Sequence, residues 1–262
     1  MKIALAQVRC ALGNREKNLD RMHQVVSSTE ADLFVFCELY LTGYMVRDRV
    51  FNLAERIEDG SVEEVEKVAE EHGCGILFGM ARKDDELPGV LRNSAVMVSP
   101  DEGVQVYDKL YPATFGPFEE GLYFGKGTEP KMFQLGKTRF GVDICYDLFH
   151  GEIARTYALA GAEALLTISA SPYTSREFFE RLVPARAIDN TIYSIYVNQV
   201  GAQLNMVFFG GSEAYGPRGD RLCKCKYFDE DVQVIETDSH ALHLARRNRP
   251  TVRDGSDALL EQ

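Results

Sequence analysis

Three side chains of this sequence, Glu38, Lys109 and Cys145, form a set that could carry out acyl transfer. A carboxylate can accept the proton of a thiol, the sulfur can then attack a carbonyl carbon, and an ammonium can stabilise the oxyanion that forms. Each of the three follows an apolar run typical of a strand, where a further apolar residue or a turn former would be expected. We therefore expect the three side chains to converge at one end of the predicted sheets.

The segment around Cys145 shows why its position suits a nucleophile. Phe140, Val142 and Ile144 alternate along a predicted strand, and Gly151 opens a predicted helix soon afterwards. At a strand end the backbone is held by the sheet, the side chain can project into a cleft, and the next amide N–H is free to face a developing negative charge. Each residue also has a structural interpretation: free cysteine is often buried as a small hydrophobe, and single charges after strands are often solvated.

Alternating strands and helices must position these residues. Strands are predicted at residues 2–8, 32–37, 74–81, 93–99, 104–107, 140–144, 164–169, 193–199, 207–215, 221–226 and 232–237, with Gly210 and Gly211 interrupting the ninth. Helices are predicted at residues 14–26, 61–71, 151–161, 175–190 and 239–247, the second beginning with a capping box from Ser61 to Glu64. The pattern indicates one mixed α/β domain over residues 1–262, built as two packed sheets with helices outside. The long loop at 110–127 is expected to be functional.

Composition narrows the function classes. The 262 residues carry a net charge of −11, which argues against nucleic-acid binding because that needs clustered basic residues. No run approaches the length of a membrane span, and the apolar part of the N-terminus is too short for a signal peptide, so we expect a cytoplasmic protein. In a reducing compartment the six scattered cysteines are expected to be free thiols.

The sequence gives little support for a metal site or for a catalytic dyad of cysteine and histidine. Cys223 and Cys225 have no second ligand pair at a zinc spacing, and His240 and His243 have no identifiable acidic or thiol partner. We therefore predict no metal and no organic cofactor. His150 lies only five residues past Cys145, and a dyad of that kind usually joins residues far apart in sequence.

Several motifs together resemble the carbon–nitrogen hydrolase (nitrilase) superfamily. The matching segments are 33–44 (LFVFCELYLTGY), 107–112 (YDKLYP), 141–147 (GVDICYD), 185–190 (ARAIDN), Asn198 and 210–212 (GGS). The resemblance implies a four-layer αββα sandwich and cleavage of a non-peptide carbon–nitrogen bond in an amide, releasing ammonia. It implies that Glu38 is the base, Lys109 the oxyanion-stabilising cation, Cys145 the nucleophile that forms a thioester, and the N–H of Tyr146 a second oxyanion donor. A second glutamate is implied in the loop after the lysine; spacing favours Glu120, and Glu119 is the alternative.

Local motifs outside the three catalytic candidates bear on the identity of the substrate. Residues 166–173, 197–203 and 207–212 are similar to the glutaminase domain of glutamine-dependent NAD synthetases, whereas residues 148–149 are Leu-Phe instead of the arginines that carbamoyl-amino-acid hydrolases tend to carry. No ATP-binding domain or phosphate loop is recognised, so we expect either a free-standing amidase or a subunit that supplies ammonia to a synthetase partner. The residues predicted to contact the small-molecule amide are Tyr44, Glu119, Phe149, Ser171 and Arg176.

Three alternatives stay open at this point. The fold could bind a metabolite without catalysis, the thioester could be transferred to an amine instead of water, or the substrate could be a nitrile. The resemblance also implies a homo-oligomer, for which the basic segment 246–253 is a candidate contact, although a solvated tail is an equal alternative.

Overall fold

Two six-stranded sheets form the centre of the structure, a computed structural model that describes residues 1–255. The strands are β1 Lys2–Gln7, β2 Leu33–Val35, β3 Gly75–Lys83, β4 Leu91–Ser99, β5 Gly103–Asp108, β6 Met132–Leu135, β7 Thr138–Ile144, β8 Ala164–Ser169, β9 Tyr193–Asn198, β10 Val200–Gln203, β11 Met206–Phe209, β12 Glu213–Tyr215, β13 Arg221–Lys224 and β14 Asp231–Glu236. One sheet has the order β14-β1-β2-β3-β4-β5 and the other β13-β12-β9-β8-β7-β6, while β10 and β11 form a separate hairpin. Both sheets are mixed, with β1-β2-β3 and β7-β8-β9 parallel.

Helices cover the outer faces of both sheets. The helices are α1 Arg15–Ser28, α2 Val50–Leu53, α3 Gly60–His72, α4 Glu120–Tyr123, α5 Gly151–Leu159, α6 Arg176–Asn190 and α7 Ser239–Asn248, of which α1, α3, α5 and α6 form the outer layers. Short 3₁₀ turns lie at Arg47–Arg49, Cys145–Phe149 and Tyr173–Ser175.

The periodicity of apolar residues explains the layers. On the first sheet, one face packs against the apolar stripes of α1 and α3, as Phe34 does against Val25 and Val65. The opposite face, including Leu5 and Val35, packs against the inner face of the second sheet. Helices α5 and α6 pack on the second sheet. The layers are therefore helix, sheet, sheet, helix, which confirms the predicted αββα sandwich.

Local predictions differ from the structure at several elements. Strand β2 is three residues long and stops before Glu38, and the predicted strand 207–215 is divided into β11 and β12 because Gly210 and Gly211 have positive φ angles of 66° and 59°. Strands β6 and β10 and the short helices α2 and α4 were not predicted. The predicted capping box is wrong, because α3 begins one residue earlier, with Asp59 as its N-cap and no side-chain cap hydrogen bond.

Part of the basic segment 246–253 packs on its own chain. The Arg155 guanidinium donates to the Thr251 carbonyl at 2.6 Å, and the hydroxyls of Thr191 and Thr251 are 2.7 Å apart. The predicted role of this segment in oligomerisation stays a prediction. Within residues 1–255, no helix combines the length and apolar character that a bilayer crossing requires.

One buried carboxyl stands apart from this apolar packing. Asp143 of β7 lies opposite Thr167 of β8, is 1% exposed, and has no hydrogen-bond partner for either carboxyl oxygen among the described residues. Burial raises the pKa of Asp143 to about 8. The carboxyl is therefore neutral in the folded protein at neutral pH.

This placement predicts a pH-dependent stability. Because the folded-state pKa lies above the unfolded one, the folded protein retains a proton that the unfolded chain releases, so the free energy of unfolding falls between about pH 4 and about pH 8. The slope from this group approaches about 1.4 kcal/mol per pH unit. Asp143→Asn removes the ionisation, so its stability relative to wild type should increase with pH across that window, as measured by thermal unfolding. A difference that does not change with pH would contradict the assignment.

Candidate active site

A buried ion cluster centred on Lys109 lies where strands of the first sheet end. The Lys109 Nζ atom is 2.7 Å from Glu38 Oε1 and 2.8 Å from Glu120 Oε2, and all three side chains are at most 3% exposed. Burial opposes the ammonium, but the charges of Glu120 and Glu38 hold the pKa of Lys109 well above its usual value. Lys109 is therefore held as a cation in a buried site.

Further donors satisfy the Glu38 carboxylate. The Asn93 amide donates to Oε1 at 2.7 Å, and the backbone N–H of Ala170 donates to Oε2 at 2.8 Å. Asn93 lies on β4, between β3, which carries Gly79, and β5, which ends just before Lys109. Asn93 was not predicted as a site residue, although an asparagine in a predicted buried strand was the available signal.

The loop after β5 supplies the second carboxylate through Glu120, the first residue of α4. Glu120 accepts hydrogen bonds from the Tyr44 hydroxyl at 2.6 Å and the Ala113 N–H at 3.1 Å. Burial raises the pKa of Glu120, and Lys109 offsets part of that effect. Glu119 is exposed and points elsewhere, so of the two adjacent glutamates it is Glu120 that contacts the lysine.

The backbone around Glu38 is constrained by a glycine in the neighbouring strand. Leu39 has a φ of 49°, and the Glu38–Leu39 segment crosses directly over Gly79 of β3. A Cβ atom at Gly79 would lie 2.2 Å from the Leu39 nitrogen, closer than two such atoms can approach. The absence of a side chain at Gly79 is therefore what allows Glu38 to reach Lys109.

Cys145 follows β7 directly and has a φ of 53°, which is rare for a residue with a side chain. Its Sγ atom is 3.6 Å from the Ser171 hydroxyl, which in turn lies 2.6 Å from the Ser169 hydroxyl. Burial, followed by the charge of Glu38, raises the pKa of Cys145 to about 12. The resting side chain is therefore a neutral thiol rather than a thiolate.

Asp147 ties the cysteine turn to the loop that follows Lys109. One carboxylate oxygen accepts from the Tyr107 hydroxyl at 2.7 Å and the Ile144 N–H at 3.1 Å, and the other accepts from the Tyr111 N–H at 2.9 Å. The residue is fully buried. It was quoted only as part of a motif in the sequence, and its positioning role was not predicted.

Two cavities flank the cluster, and Cys145 lines only one of them. That cavity, of about 260 Å³, is bordered by Ala113, Phe115, Phe118, Cys145, Tyr146, Phe149, Ser171, Ser175, Phe178 and Phe179. A second cavity of about 210 Å³ is lined in part by Tyr44, Glu119 and Glu120. Of the predicted substrate contacts, Phe149 and Ser171 thus line the cysteine cavity, Tyr44 and Glu119 line the second, and Arg176 lines neither.

Arg176 and His150 make other contacts. The guanidinium of Arg176 packs on the rings of Tyr173 and Tyr227, each at 5.3 Å from the ring centroid. The imidazole of His150 stacks on Tyr111 with a centroid separation of 3.5 Å, and no hydrogen bond joins it to Cys145. The structure therefore gives no support to a Cys145–His150 dyad.

The cysteine and histidine pairs considered as metal ligands remain separate. Cys223 is half-buried on β13 and Cys225 is buried just after it, while His240 and His243 are exposed on α7. Neither pair belongs to a cluster of three or more side chains at ligand spacing within residues 1–255.

Comparison with known proteins gives the family. Residues 2–247 match the family model described as "Carbon-nitrogen hydrolase". The sequence is 32% identical over 258 residues to a nitrilase of Pyrococcus abyssi, covering 95% of this chain and 93% of the relative. The chain belongs to the carbon–nitrogen hydrolase family. As a carbon–nitrogen hydrolase it is an enzyme, and the predicted superfamily is confirmed.

Two further relatives of this carbon–nitrogen hydrolase differ in length and extent of similarity. It is 29% identical over 262 residues to a glutamine-dependent NAD(+) synthetase of Aquifex aeolicus, covering 95% of this chain but only 44% of that protein. The crystal structure of XC1258 from Xanthomonas campestris, described as a CN-hydrolase superfamily protein, shares the fold with a TM-score of 0.89 and 22% identity, covering 98% and 97% of the two chains.

Removing the central cation of this carbon–nitrogen hydrolase should be strongly destabilising. Lys109→Met leaves the carboxylates of Glu38 and Glu120 buried without their ammonium, and breaking a buried ion pair in this way costs about 3–5 kcal/mol. Denaturant unfolding at neutral pH would measure the loss. Lys67→Met, which removes an exposed pair with Glu63, is the control and should change stability little. Equal effects of the two substitutions would contradict the cluster's structural importance.

Gly79→Ala should displace Glu38. The added methyl group collides with backbone at 2.2 Å, so the crossing segment must move, and overpacking of this kind costs about 1–3 kcal/mol. We expect both a lower free energy of unfolding and a loss of turnover that exceeds the fraction unfolded. Gly60→Ala is the matched control, because nothing lies within 4 Å of the added Cβ. Full turnover in Gly79→Ala would show that Glu38 does not depend on this approach.

Proposed function

We propose that the protein hydrolyses a carboxamide through a thioester on Cys145 and releases ammonia. In this proposal Glu38 is the general base, while Lys109 Nζ and the Tyr146 N–H stabilise the oxyanion. The supporting observation is the buried Glu38–Lys109–Glu120 cluster beside a cavity that Cys145 lines. The clustering of a thiol, a base and a cation is the arrangement that acyl transfer requires.

The first half-reaction begins from the neutral thiol. Because the pKa of Cys145 is about 12, the thiol proton must leave as the sulfur attacks. Glu38 is the proposed base, and its charge is one of the causes that raise this pKa. The S–C bond forms, the carbonyl π electrons move to oxygen, and the oxyanion is met by the cation of Lys109. Collapse of the intermediate then breaks the C–N bond, and the proton held by Glu38 leaves with the nitrogen as ammonia.

The second half-reaction reuses the same groups. Glu38, ionised again, takes a proton from water as the water oxygen attacks the thioester carbonyl. A second tetrahedral oxyanion forms against Lys109, and its collapse breaks the C–S bond. The proton on Glu38 returns to sulfur, so that the carboxylic acid leaves and the thiol is restored.

Glu120 is assigned a positioning role. It holds the Lys109 ammonium from the side opposite Glu38, and its own orientation is set by the Tyr44 hydroxyl and the Ala113 N–H. Because Glu120 contacts the ammonium directly, a change at Glu120 should alter the location of the cation as well as the local charge.

Two related activities use the same first half-reaction. The similarity to a glutamine-dependent NAD(+) synthetase raises a second candidate, in which glutamine is the amide and a synthetase partner accepts the ammonia. Transfer of the acyl group to an amine would need only that the amine replace water. Measuring ammonia and acid with and without added amines would distinguish hydrolysis from transfer. If no product forms from any amide, a binding role would be favoured.

Replacing the nucleophile should abolish turnover without unfolding the protein. We expect Cys145→Ala to lower ammonia release from a panel of amides by about 10³-fold or more, because covalent catalysis is lost with the sulfur. Cys74→Ala is the control, since Cys74 is also a buried thiol, 3% exposed, and lies just before β3. Thermal unfolding of both variants would show that the fold is retained.

Mass spectrometry adds a direct test of the thioester. Wild-type protein quenched in acid during turnover should carry the mass of the acyl group on the peptide that contains Cys145, and Glu38→Gln should slow both formation and loss of that adduct. Undiminished ammonia release by Cys145→Ala would overturn the proposed mechanism.

A further inference from the structure

The cavity at Cys145 has walls of a different chemical character from its floor. The floor carries the thiol and the Ser171 hydroxyl, whereas the walls are formed largely by aromatic rings. Its volume of about 260 Å³ exceeds the ~150 Å³ of an apolar cavity that accommodates benzene. A group the size of a phenyl ring or a short alkyl chain therefore fits beside the sulfur.

The aromatic side chains form a continuous surface from the interior to the mouth. Phe115 contacts Phe118 and Tyr146 with ring centroids 5.4 and 4.7 Å apart, and Phe149 contacts Tyr146 and Phe179 at 5.3 and 5.4 Å. Phe179 is buried at the inner end, while Phe178 at the mouth is 55% exposed. Binding an apolar group against such a surface is favourable, because apolar area on both sides is removed from water.

Charged groups near this cavity are engaged elsewhere. Glu177, next to Phe178, is 3.1 Å from Arg181 on the outer surface, and Arg176 packs on Tyr173 and Tyr227. Glu119 borders the second cavity, and none of the residues that line the cysteine cavity is an acidic or basic side chain. The nearby cation, Lys109, already contacts two carboxylates.

Glutamine does not suit these surroundings. Its α-ammonium and α-carboxylate would each lose water without gaining a partner, which is unfavourable for an ion in an apolar site. The carboxylates of Glu38 and Glu120 near the thiol would also repel the α-carboxylate of glutamine.

We propose that the substrate is a primary amide whose acyl group is uncharged and apolar, of about the size of a hexanoyl or phenylacetyl group, held by Phe115, Phe149, Phe178 and Phe179. This inference rests on the proposed function, since it specifies the amide that Cys145 attacks. It excludes glutamine as the preferred substrate and, with it, the ammonia-supplying role.

The test compares hexanamide with glutaramate, the monoamide of glutaric acid, which has a carboxylate in place of the terminal ethyl group, and with L-glutamine. We expect kcat/KM for ammonia release to be about 100-fold or more higher for hexanamide than for either charged amide. From propanamide to hexanamide, kcat/KM should rise by up to about fourfold per methylene, because each one covers additional apolar surface. Phenylacetamide should be accepted as well.

A charge placed at the mouth should reverse part of this preference. Phe178→Lys is expected to lower kcat/KM for hexanamide by about tenfold while affecting propanamide much less, since the shorter chain does not reach the mouth. It should also narrow the ratio of hexanamide to glutaramate. Leu244→Lys on α7, where Leu244 is 50% exposed, is the control and should leave the whole profile unchanged.

The possible results distinguish a failure of the apolar specificity from a failure of the proposed amidase activity. Hydrolysis of glutamine or glutaramate within about tenfold of hexanamide would overturn the apolar specificity and leave the amidase assignment standing. A Phe178→Lys effect equal for long and short amides would likewise overturn the assigned cavity. Hydrolysis of none of these amides would overturn the proposed function and this inference with it.

Discussion

The buried ammonium of Lys109 between two carboxylates is the interaction on which the rest of the site depends. An ion removed from water is unfavourable unless opposite charges and hydrogen bonds surround it, and here each component has additional partners. Glu38 is held by Asn93 and the Ala170 N–H, and Glu120 by Tyr44 and the Ala113 N–H. These partners come from several separate segments, so the cluster can form only when both sheets and the loop after β5 have assembled.

The need to hold these buried groups in place also explains the positive φ angles beside Glu38 and at Cys145. Leu39 and Cys145 both adopt positive φ, a conformation that costs free energy for residues with side chains and persists only when surrounding contacts impose it. Gly79 permits one of these conformations by leaving room for the Glu38 segment. Asp147 supports the other by binding the strand end before Cys145 together with the loop after Lys109. Groups fixed in this way need little rearrangement during a reaction.

Electrostatics and substrate shape are connected at Cys145. Burial raises the pKa of the Cys145 thiol, so the proposed mechanism uses a base inside the site rather than a stable thiolate. The same low-dielectric surroundings strengthen the effect of Lys109 on an oxyanion and penalise a charged acyl group. In the proposed function, this cavity would combine ionic chemistry at the floor with apolar recognition at the walls.

The sequence by itself determined the elements and the chemical set. Alternating apolar residues predicted most of the strands, helical periodicity predicted the longer helices, and the motifs around Glu38, Lys109 and Cys145 predicted the family and the αββα sandwich. The elements depend on local periodicity, which is visible without coordinates, whereas the family and the αββα sandwich were implied by the resemblance that the motifs carry. The breaks at Gly210 and Gly211 were visible as glycines, but their effect on strand pairing was not.

Only the tertiary structure decided which residues meet. It brought Glu120 rather than Glu119 to Lys109, added Asn93, Asp147 and Gly79 to the site, and separated Arg176 and Glu119 from the cavity that Cys145 lines. Such outcomes depend on the orientation of a short helix and on contacts between strands distant in sequence. The single-residue difference between Glu119 and Glu120 is large because the N-cap and the first residue of α4 face different directions, and that direction is set by packing.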